Sequence, residues 1–141
     1  MNSIPTRTTI TSFSGNILLT ELADNVEINV KDVMENFEAA SKLTNDKKYL
    51  SLVIATPFTS ITKEAREMAN KEFMYKNTVA QAIVVKSLSN RLMGNFLVKF
   101  YKPFCPLKLF KNKKDAIVWL NERWDEDSKE KPKKTTNKLF A

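Results

Sequence analysis

"YLSLVIATPFTSITKEAREMANKEFMYKNTVAQAIVV", residues 49–85, decides the fold. Residues 49–55 form a short apolar run with few polar interruptions, the pattern of a strand covered on both faces. Pro57 takes the chain out of that strand. Thr62 stands where an N-cap belongs, and Ala65, Met68, Ala69 and Phe73 follow roughly on one side of a helix. Residues 79–85 read as a second buried strand. Strand, helix and strand in succession make a parallel crossover.

Working outward, the same alternation continues in both directions. Thr8–Phe13 and Asn16–Leu22 flank Ser14-Gly15 and read as an antiparallel hairpin. Asn29 with Asp32 three residues on predicts a capped helix whose Val30, Val33, Met34, Phe37 and Ala40 share a face. Residues 88–102 predict a third helix closed by Pro103, and residues 106–110 a last short strand. Asn112 and Asp115 open a fourth helix, in which Ile117, Leu120 and Trp124 recur at helical spacing. The order β-β-α-β-α-β-α-β-α specifies an α/β layered sheet, mostly parallel, entered through a hairpin, with helices packed on the sheet. Residues 1–124 are expected to form one domain. Residues 125–141 are expected to be a charged, mobile tail.

The third predicted helix is unusual in holding Gly94, one of only two glycines in the chain. Its Leu92, Met93, Phe96, Leu97, Phe100 and Tyr101 cover about half the wheel, with Arg91, Asn95, Lys99 and Lys102 opposite. A glycine inside a helix costs roughly 1 kcal/mol relative to alanine. Close approach of a neighbouring element or a ligand is the usual compensation. The candidate ligand-contacting residues on this segment are Arg91, Gly94, Asn95, Phe96, Lys99 and Lys102.

In this region the chain resembles a family. Ser87 to Arg91, Gly94-Asn95-Phe96, Lys102-Pro103, Leu109-Phe110, and Asp115 with Trp119-Leu120 together resemble the C-terminal half of bacterial STAS-like (SpoIIAA-like) proteins, relatives of the anti-sigma-factor antagonists. The stretch "ITKEAREMA", residues 61–69, matches as well, and the resemblance covers roughly residues 15–124. It implies a STAS-like fold and a non-enzymatic module that binds regulatory partners. In the antagonists a phosphorylated residue follows the central strand, and here Ser60 and Thr62 stand in that loop. The Asp before it and the Gly after it in the family pattern are absent, and Thr62 also reads as a plain N-cap. Members of the wider group resemble carriers of apolar ligands.

Composition narrows the chemistry. The 141 residues contain no histidine and one cysteine, Cys105, which removes the commonest general base and any thiolate cluster for a metal. Two isolated glycines cannot build a phosphate-cradling loop. No catalytic residues, metal or cofactor are expected. No apolar run approaches the roughly 20 residues of a membrane span, and the N-terminus lacks the pattern of a signal peptide. A cytoplasmic protein is the expectation. The net charge of +7 is uneven: residues 76–114 carry nine basic and no acidic side chains, whereas residues 1–75 carry eight basic and ten acidic.

The leading expectation is a binding and regulatory module acting on a protein partner, with a homodimer through the surplus apolar face as one form. The alternative is a carrier or sensor of a fatty acid or similar amphiphile in a pocket beside the third helix. A lesser alternative is nucleic-acid binding through the basic 76–114 segment, where aromatic and basic residues interleave.

Overall fold

The computed structural model describes residues 2–56, 58–85 and 104–140. The glycine-bearing segment, with Arg91, Gly94, Asn95, Phe96, Lys99 and Lys102, lies outside the described residues, as does Pro57. Along the chain, strands β1 (Ser3–Pro5), β2 (Thr9–Ser14), β3 (Ile17–Leu22) and β4 (Glu27–Ile28) precede helix α1 (Val30–Thr44). Strands β5 (Tyr49–Ile54) and β6 (Ser60–Ile61), helix α2 (Lys63–Ala69) and a single 3₁₀ turn (Glu72–Tyr75) follow. The chain then forms β7 (Thr78–Val84), β8 (Leu107–Phe110) and helix α3 (Lys113–Phe140).

Six strands form one sheet in the order β1-β2-β3-β5-β7-β8. The pairs β1–β2 and β2–β3 are antiparallel, while β3–β5, β5–β7 and β7–β8 are parallel. The mostly parallel α/β sheet entered through a hairpin is therefore present. The hairpin register pairs Ser14 with Ile17, so its two-residue loop is Gly15-Asn16, one position later than the sequence suggests. Gly15 sits at φ +62°, a conformation in which a Cβ is disfavoured.

Both faces of the sheet are used, and the period-2 alternation of β5 shows how. Leu50 and Leu52 point to the α3 side, where they form a core with Ala80, Ala82, Val84, Ala116 and Leu120. Tyr49, Ser51 and Val53 point to the side of α1 and α2. Helices α1 and α2 follow β3 and β5 and share one face, as crossovers of one hand between successively added parallel strands require.

Local chemistry explains the helix starts. The Asn29 side chain accepts from the Asp32 N–H at 3.0 Å, and the Asp32 carboxylate accepts from the Asn29 N–H at 2.9 Å, a capping box. Asn112 caps α3 by accepting from the Asp115 N–H at 2.8 Å. The inner face of α1 also carries Asn36, whose amide oxygen accepts from Thr6 at 2.7 Å and Thr9 at 3.0 Å, while its NH₂ reaches Thr8 at 3.2 Å. Thr8, Thr9 and Thr11 are buried, so a satisfied polar seam joins the start of β2 to α1.

Helix α3 extends to Phe140, across the position at which the sequence suggests a boundary. On it Arg123 pairs with Glu126 at 2.9 Å on adjacent turns. Among the described side chains, the last of α3 packed against the core is Trp124. One feature was not expected, a separate two-stranded parallel ribbon, β4–β6, pairing Glu27 with Ser60 and Ile28 with Ile61.

Candidate functional site

Among the described residues, the face under α1 and α2 is left hollow. A cavity of about 340 Å³ lies between the sheet and these helices. Its floor is Leu18, Thr20 and Leu22 of β3, Tyr49, Ser51 and Val53 of β5, Thr78, Gln81 and Ile83 of β7, and Leu107 of β8. Val33, Asn36, Phe37 and Ala40 of α1, Arg66 and Ala69 of α2, Asn70, Met74 and Tyr75 form the walls and roof. Among the described residues two features leave it open. Helix α2 has only seven residues, about 10 Å of length, over strands nearly twice as long. Ala40 and Ala69 add little volume where larger side chains would close the gap.

Four of the cavity's polar groups are matched in pairs. The Thr78 hydroxyl donates to the Tyr49 hydroxyl at 3.1 Å, and the Gln81 NH₂ donates to the Ser51 hydroxyl at 3.2 Å. Burial pushes the Tyr75 phenol up to about 12, with Cys105 and Tyr49 adding to the shift. Burial also raises Tyr49, and it pushes the neighbouring Cys105 thiol up to about 11. These groups are neutral at pH 7 and supply no nucleophile. Arg66 differs, because its Nε is buried and has no hydrogen-bond partner.

Beside the cavity, at the C-terminal ends of β3 and β5, a pinned loop carries Phe58. The hydroxyls of Thr56 and Thr59 donate to the Ala23 carbonyl at 3.3 and 2.7 Å, and also contact each other. The Ser60 and Thr62 amides donate to Val26 and Ile28 at 3.0 Å. Within this framework Phe58 is 68% exposed, the most exposed large apolar residue among those described.

The structure places the two sequence-predicted loop residues together on this ribbon. Ser60 is exposed in β6, in register with Glu27. Thr62 is half-buried and caps α2, its hydroxyl accepting from the Ala65 N–H at 3.1 Å. Of the cavity residues, Val33, Phe37, Ala40 and Ala69 were expected on inner helix faces, and Arg66 was not singled out by sequence. Among the described residues no group of three or more His, Cys, Asp or Glu side chains converges in a way that could hold a metal. No described helix is long and apolar enough to cross a membrane.

The mostly parallel sheet entered through a hairpin is a STAS-like α/β fold, and comparison with known proteins agrees on the fold. The chain belongs to the family described as domain of unknown function DUF7793, whose profile matches residues 11–123. Its fold is similar to the crystal structure of an uncharacterized protein of the DUF3478 family with a SpoIIAA-like fold, from Shewanella loihica PV-4. The TM-score is 0.56 at 14% identity, covering 84% of this chain and 90% of that one. No curated protein matches the chain.

Proposed function

We propose that this protein is a non-catalytic regulatory module that acts by binding another protein through the loop bearing Phe58. One observation carries the reading. A large aromatic ring is held out into solvent by a loop whose own polar groups are tied down at Ala23, Val26 and Ile28. An apolar side chain displayed on a rigid frame is the anatomy of an interface anchor, because little entropy is lost when it docks. The C-terminal ends of parallel strands are also where α/β sheets place their ligands. The STAS-like fold supports the same reading. Phosphorylation of Ser60, two residues from Phe58, would be the regulatory input.

Photo-crosslinking tests this directly. A photoreactive phenylalanine analogue replaces Phe58 in one variant and Val118, exposed on α3, in another. The expected result in cells of the source organism is a discrete adduct from position 58 and none from position 118. An adduct of twice the chain mass would identify the partner as a second copy of the chain, a homodimer. No adduct, or the same adducts from both positions, overturns the proposal.

A further inference from the structure

We infer that the cavity beneath α1 and α2 binds a small organic monocarboxylate, with the carboxylate on Arg66 and an apolar body lying along the sheet. This goes beyond the protein-binding reading, since Phe58 is not among the cavity's lining residues.

Charge comes first. The described lining contains one ionisable cation, Arg66, and no Asp or Glu. Among the described residues Arg66 takes part in no salt bridge. Leaving the Arg66 Nε–H buried without an acceptor carries an unrelieved desolvation penalty. Of the other polar side chains, Thr78 and Tyr49, and Gln81 and Ser51, already bond in pairs, and Asn36 is held by Thr6, Thr8 and Thr9. Arg123 provides the contrast. Its Nε is likewise buried and unbonded, but its guanidinium already pairs with Glu126 at 2.9 Å and stacks over Trp119. Among the described residues Arg66 therefore keeps a buried Nε–H without an acceptor, and a carboxylate matches its planar fork.

Shape and size set the rest of the ligand. Val33, Phe37, Val53, Met74 and Ile83 give the cavity an apolar wall. Its 340 Å³ corresponds to about eleven waters of liquid volume. A body of about ten non-hydrogen atoms fits, such as a medium-chain or aromatic acid; a long-chain lipid does not. A bare inorganic anion would satisfy Arg66 and leave the apolar wall unfilled.

Calorimetry on the full chain, with octanoate, 1-octanol and inorganic phosphate as probes, decides the question. Octanoate is expected to bind saturably and at least tenfold more tightly than 1-octanol, with phosphate weaker than both. Arg66→Met, shown to be folded by circular dichroism, should remove the preference for octanoate and keep octanol binding. Ala69→Phe, which fills the cavity, should lose both organic ligands. Equal binding of octanoate and octanol to the unaltered chain overturns the role of Arg66. Absent octanoate binding, or phosphate binding as tightly as octanoate, overturns the proposal whether or not the variants fold.

Discussion

Arg7 and Asp32 lock the start of the sheet to the start of α1. The Arg7 Nε donates to one Asp32 oxygen at 3.0 Å and its Nη2 reaches the other, while the same guanidinium donates to the Glu27 carbonyl at 2.8 Å. That second Asp32 oxygen also closes the capping box with Asn29. One carboxylate thus serves a helix cap and an ion pair, and joins the turn before β2 to the start of α1.

This predicts a defined acid sensitivity. The hydrogen bond from Arg7, aided by the Asn29 amide, holds the Asp32 carboxyl below its ordinary range despite burial. A lowered folded-state pKa contributes stability that is fully present above the unfolded value of about 3.9 and is lost as pH falls through the lower folded value. Thermal melts between pH 2 and 7 should show this loss at the acid end. Asp32→Asn should cost about 1–3 kcal/mol at pH 7 and flatten the acid limb. An unchanged acid limb in the variant would refute the assignment.

The two sides of the sheet should answer differently to changes in volume. Leu120 is fully buried on the α3 side, so Leu120→Ala should cost about 2–5 kcal/mol. Ala40 borders the cavity, so Ala40→Leu has room to be accommodated and should change stability by less than about 1.5 kcal/mol. Urea unfolding of both variants measures the contrast; comparable losses would mean that the cavity is already filled.

Glu27 and Ser60 oppose each other across the β4–β6 ribbon. A negative group at position 60 meets a like charge there. Ser60→Glu should speed hydrogen exchange at the Ser60 and Thr62 amide positions, which bond Val26 and Ile28. Adding Glu27→Gln should restore the protection. Thr62→Ala should cost about 1 kcal/mol through the lost cap, and Thr62→Ser should not.

Cys105 should be a sluggish nucleophile. With its pKa pushed up to about 11 by burial, the thiolate is scarce at pH 8. Iodoacetamide should label the folded chain at least tenfold more slowly than the same chain in denaturant. The rate should still be rising at pH 10; a plateau near pH 8.5 would contradict the burial of the thiol.

What the sequence disclosed was local. Asn29 with Asp32, Asn112 with Asp115, and Gly15 in the hairpin are short-range signals, and each determines its element through bonds within four residues. The buried strands were legible because a strand covered on both faces is apolar throughout, as Leu50, Leu52 and Val53 illustrate. Strand β1 and the β4–β6 ribbon were not, because two or three residues carry no periodicity and their pairing partners lie elsewhere in the chain. Asn36 looks like an ordinary polar helix residue until Thr6, Thr8 and Thr9 are brought to it. The cavity is harder still, since it is an absence of volume created by a seven-residue helix and two alanines. The one hint at Arg66 is its place between Ala65, which is fully buried, and Ala69, which lines the cavity.

Among the described residues, the sheet is therefore tightly filled on one side and under-filled on the other. Hydrostatic pressure favours states that eliminate voids, in proportion to the volume they remove. Compression should yield first along the α1 and α2 face, at Phe37, Met74 and Ile83, while Leu50, Val84 and Leu120 keep their places. Whatever occupies the hollow would act as a strut and make the domain stiffer.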